Sequence, residues 1–76
     1  MPSSKNYLLT LMTSFGPVLA LGGVMAENDS DAIRRASDAM KDRLERGEIE
    51  ADGTVIISSP DDREIERKTV AELAGR

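Results

Sequence analysis

The chain has no cysteine, no histidine and no tryptophan, and only one tyrosine and one phenylalanine among its 76 residues. Each absence removes a class of chemistry. Without histidine the commonest general base near neutral pH is missing, and no Ser-His triad can be assembled from Ser3, Ser4, Ser14, Ser30, Ser37, Ser58 or Ser59. Without cysteine there is no thiolate nucleophile and no disulfide staple, and the loss of both residue types removes the usual ligands for zinc. Small secreted domains depend on disulfides, so a reducing compartment is expected and the location is read as cytoplasmic. Two aromatic rings are too few to stack the bases of a single strand.

Ten Lys plus Arg stand against fourteen Asp plus Glu, a net charge of -4. That sign repels nucleic acid and anionic membranes at long range, so neither is expected as a direct partner. A chain of this length buries only about 60 % of its unfolded surface, which leaves little material for both a core and a deep pocket. One α+β domain over residues 1–76 that works through its surface, and not an enzyme, is the expectation.

The charge is unevenly spread, because Lys5 is the only charged residue before Glu27. The stretch from Tyr7 to Ala26 fits three physical objects. A signal peptide would use Lys5 as its basic end and Val24-Met25-Ala26 as its cleavage site. A membrane helix needs about twenty apolar residues, a length the run just reaches. A β-hairpin would split it at Ser14-Phe15-Gly16-Pro17, where proline lacks an N–H and glycine supplies unusual backbone angles. Gly16-Pro17 favours the hairpin. So does the core, since the chain after Ala26 keeps only Ile33, Met40, Leu44, Ile49, Val55, Ile56, Ile57, Ile65, Val70 and Leu73 as large aliphatics. In a hairpin Tyr7, Leu9 and Leu11 take one face and Leu8, Thr10 and Met12 the other. On the second strand, alternation sets Leu19 and Leu21 against Val18, Ala20 and Val24. Gly22-Gly23 reads as a bend or bulge in that strand. Both faces being apolar, each needs a cover: the C-terminal segment, a dimer or a bound partner.

The second half reads as a helix and strands. Asp29-Ser30-Asp31 supplies an N-terminal cap, Ile33, Ala36, Met40 and Leu44 form the apolar stripe, and Gly47 stops a helix over about 30–46. Asp31 with Arg35, Arg34 with Asp38, and Asp42 with Arg46 are spaced to pair along its exposed side. Asp52-Gly53 is a turn pair, and Thr54 to Ser58 is a β-branched strand expected at the centre of a sheet. Ser59-Pro60-Asp61-Asp62 opens either a fourth strand from Arg63 to Lys68 or a helix carrying Ile65, Thr69 and Leu73. Thr69 and Glu72 form a capping box for a short helix from Val70 to Ala74.

From Asp31 onward, the Ala-rich helix, the Arg43-to-Glu48 helix end, Gly53 before Val55-Ile56-Ile57, the Asp-rich turn and Val70-Ala71-Glu72-Leu73 resemble a small bacterial domain family of unknown function. The resemblance implies a hairpin, a helix and a second hairpin with a final helical turn, hence a small antiparallel ββαββ sheet. The apolar Tyr7 to Met25 departs from the more polar first hairpin of that pattern. No catalytic residues transfer.

Carboxylates cluster at Glu48, Glu50 and Asp52, and at Asp61, Asp62, Glu64 and Glu66. Their spacing is not that of an EF-hand loop, and no metal or other cofactor is expected. The Lys-Ser/Thr of a phosphate loop is missing after Gly22-Gly23. These seven acids are instead the candidate protein-binding surface, complementary to a basic groove that normally holds nucleic acid. In size, acidity and lack of catalytic machinery the chain is similar to the small phage-encoded inhibitors of CRISPR complexes, a likeness of composition. The alternative function is an exported or membrane-anchored accessory protein that uses residues 7–26 as its signal or anchor.

Overall fold

The uncharged first third folds as two strands. In the computed structural model, which describes residues 4–13, 16 and 18–75, β1 spans Lys5–Met12 and β2 spans Leu19–Ala26. They run antiparallel, with Lys5 opposite Ala26 and Leu11 opposite Leu19. Of the expected turn, Ser14, Phe15 and Pro17 lie outside the described residues. Tyr7, Leu9, Leu11 and Ala26 all belong to the hydrophobic core, so removing the first 26 residues would strip the core of its first wall. No helix among the described residues is long and apolar enough to cross a membrane.

After the hairpin come α1 (Asp29–Glu45), β3 (Thr54–Ser58), β4 (Glu64–Thr69) and α2 (Val70–Leu73). The sheet is antiparallel throughout, in the order β2-β1-β3-β4, which is the expected α+β arrangement. β3 is interior, and Val55 and Ile57 are buried in it.

Strict alternation fails in β2. Leu9 faces Gly22 but Thr10 faces Ala20, so Leu21 is an extra residue, and Gly22 has φ +95 at this bulge. The extra residue reverses the strand's parity. Leu21 and Val24, expected on opposite faces, both pack against the core with Ala26.

The helix begins one residue earlier than its Asp-rich start suggests, because Asn28 is the cap: its side chain accepts the Asp31 N–H at 2.8 Å. Ala32, Ala36 and Met40 form the buried line, with Ile33 and Leu44 half-buried at its margins. Two alanines on that line let the helix approach the sheet closely. On the exposed side, Arg34 turns back to Asp31 at 2.6 Å instead of forward to Asp38. Arg35 also meets Asp31 at 3.0 Å, and Arg46 meets Asp42 at 3.3 Å. Gly47, at φ +74, closes the helix with N–H bonds from Glu48 to the Arg43 carbonyl and from Gly47 to the Leu44 carbonyl.

Residues 64–69 are strand and the helix starts only at Val70. Thr69 caps it, accepting the Glu72 N–H at 3.1 Å and donating to the Glu72 carboxylate at 3.0 Å. Val70 and Leu73 enter the same core as Met40, and the Ser37 hydroxyl donates to the Leu73 carbonyl. The C-terminal segment therefore joins α1 on the inner face of the sheet. It does not cover the second face, where Leu8 and Met12 stay 45 % and 38 % exposed.

Candidate functional site

Three surfaces follow from this fold. The first is set by the path of β3, which separates the seven candidate acids into two groups. Glu48, Glu50 and Asp52 precede β3, and Asp61 and Asp62 follow it, so the groups occupy opposite ends of the sheet. At the first end, Val70 N–H donates to the Gly53 carbonyl at 2.8 Å and Ala71 N–H to the Ala51 carbonyl at 3.1 Å. These bonds hold the start of α2, the short helix that carries Glu72, against the 51–53 loop. A carboxylate in a four-residue helix carries no linear signal of what the loop below it holds. Glu48 meets Arg46 at 3.8 Å, whereas Glu50 and Asp52 take no ion-pair partner among the described residues. Among the described residues, Glu50 and Asp52 therefore stand as unpaired carboxylates at this end.

The acids around β4 have other engagements. Glu64 pairs with Arg67 at 2.7 Å, and the half-buried Glu66 accepts the Arg67 N–H at 3.2 Å. In the β3–β4 turn Asp61 accepts the Ser59 hydroxyl at 2.9 Å, while Asp62 holds a left-handed φ of 65. An Asp tolerates that conformation better than most residues with a Cβ. Ser59 N–H closes the turn on the Arg63 carbonyl at 2.8 Å.

The second surface is an open cleft of about 440 Å³ at this turn, lined by Lys5, Tyr7, Asp29, Ser59, Pro60, Asp61 and Arg63. Tyr7 is only 1 % exposed, and its hydroxyl donates to Asp29 at 2.9 Å. Burial, then the bond to Asp29, raises the phenol above its ordinary value. The Ser59 hydroxyl, a backbone N–H, and the charges of Arg63 and Lys5 hold the Asp61 carboxyl below its ordinary range. Both groups are displaced away from neutrality, the reverse of what proton transfer requires. The cleft offers fixed charges of both signs. Among the described residues no group of three or more acids is placed to hold a metal ion.

The third surface is the bare outer face of the sheet. Leu8, Met12 and Met25 stand exposed on it, beside the half-buried Thr10 and Ile56. Two apolar faces are visible in the alternation of β1, but the bulge in β2 and the docking side of α2 decide which one stays open.

Compared with family models, curated proteins and solved structures, the chain matches none.

Proposed function

We propose that this chain is a non-enzymatic, cytoplasmic protein-binding module whose carboxylates occupy a basic surface of a partner, in the manner of a phage-type inhibitor blocking a nucleic-acid groove. The observation that carries this reading is the loop before β3, which holds Glu48, Glu50 and Asp52 in close sequence and is tied to α2, with Glu50 and Asp52 taking no ion-pair partner among the described residues. Net repulsion of nucleic acid and attraction to its binding proteins share one origin, the charge of -4. Asp61 and Asp62, with Glu64 and Glu66 beside them, form a second contact at the far end of β3. An extended groove reaches both ends at once. The displacement of Tyr7 and Asp61 away from neutrality supports binding over acid–base chemistry.

The test is capture of nucleic-acid-binding proteins on the immobilised chain, with salt and heparin as competitors. Retention of such a protein that heparin releases, together with a loss of about tenfold or more in the E48Q/E50Q/D52N variant, is expected from steering by surface charge. Retention unaffected by that variant and by salt contradicts it.

A further inference from the structure

We infer that the outer face of the sheet packs against a second copy of this chain, two sheets lying face to face about a two-fold axis. The inference stands apart from the acidic-end reading and rests on different residues.

The pairing registers define the surface. On the side away from the helices, Leu8 lies between Gly23 and Ser58, Thr10 between Ala20 and Ile56, Met12 beside Thr54, and Asn6 beside Met25. None of these positions on β1, β2 or β3 is charged. Charge returns only on β4, where Glu64 and Arg67 neutralise each other at 2.7 Å. Leu8 is 45 % exposed, Met12 38 % and Met25 53 %, so the apolar side chains are in water when the chain is alone.

Charge selects the occupant. Two molecules of net charge -4 repel wherever their carboxylates face each other, and this face is a place where they approach without doing so. A basic partner finds no carboxylate here to hold. Relief points the same way. The projecting Leu8 is flanked by the small residues Gly23 on β2 and Ser58 on β3, and Met12 by Thr54 on β3. A copy related by a two-fold axis sets its own projecting row beside those hollows, the interdigitation that packs stacked sheets about 10 Å apart. Gly23 cannot fill its hollow: a Cβ there would meet the Asn6 side chain and lie 2.9 Å from the Tyr7 carbonyl oxygen.

The area sets the affinity class. At about 3.3 Å per residue and about 4.8 Å between strands, the eight-residue β1 and β2 and the five-residue β3 give a footprint of roughly 300 Å², and two such faces bury on the order of 800 Å² of accessible surface. That is below the standard size of specific interfaces, so the dimer is weak and reversible, with dissociation on the order of tens of micromolar or weaker.

Sedimentation velocity on the full chain, from about 1 μM to about 1 mM, tests the inference in the range where such small interfaces dissociate. The wild type is expected to pass from the mass of one 8.2 kDa chain to twice that value. L8K abolishes the shift, and M25K, at the more exposed edge position, does the same. D38K on the solvent side of α1 leaves it intact. Circular dichroism of each variant shows that the fold is retained; should L8K fail to fold, M25K decides. A wild type monomeric over the whole range, as when a different protein covers this face, overturns the inference. So does a dimer that M25K does not weaken.

Discussion

Asp31 does more than its place in a helical turn suggests. Its carboxylate receives Arg34 at 2.6 Å, Arg35 at 3.0 Å and the Glu27 N–H at 3.2 Å. The bonds from Arg34, then Arg35, then Glu27 pull its pKa from 3.8 to about 2. A carboxyl depressed in the folded state favours folding above its unfolded value, and the contribution fades as pH falls from about 3.8 through about 2. Urea titrations at descending pH should therefore show a stability loss in that window that is smaller in D31N, where only other depressed carboxyls such as Asp61 contribute. A loss of equal size in D31N would place its origin elsewhere. The Arg35 pairing was legible as an i to i+4 spacing. The Arg34 contact was not, because i-3 and i+4 partners compete and only side-chain geometry chooses. Nor was the burial of Tyr7, since a lone tyrosine in an apolar strand carries no mark of the Asp29 that receives its hydroxyl at 2.9 Å.

Local signals set most of the elements. The Thr69 cap and the Gly47 stop were each visible as a short run of residues with one physical purpose, whereas Ser59 to Asp62 fitted a turn into a strand and a helix start equally. Gly47 illustrates how strictly such a purpose binds, because φ +74 is strained for any residue with a Cβ. Gly47→Ala should cost about 1 kcal/mol in chemical denaturation with little change in the slope against denaturant. A neutral result would show that the helix end unwinds freely. The parity of β2 was harder to read. Gly22-Gly23 announces a bulge, but which residue is extra depends on the register against β1, a pairing between residues distant in sequence. The side taken by α2 was hidden for the same reason: four residues with two apolar positions dock on whichever surface the core offers, here beside Met40.

At the scale of the molecule, charge and apolar surface are segregated. α1 and α2 cover one face of the sheet, an uncharged face is left open, and carboxylates lie at the two ends of β3. The seven acids were legible as residues and not as a surface, since five strand residues between two loops suffice to separate them. If the proposed function holds, a basic partner meets these ends and leaves the outer face alone. Titrating the isotope-labelled protein with an arginine-rich peptide, followed by amide chemical shifts, tests it directly. The largest changes are predicted at residues 48–52 and 72, with smaller ones at 61–66, all weakened by added salt. Shifts centred on Leu8, Met12 and Met25, or spread evenly over every carboxylate of α1, would contradict it.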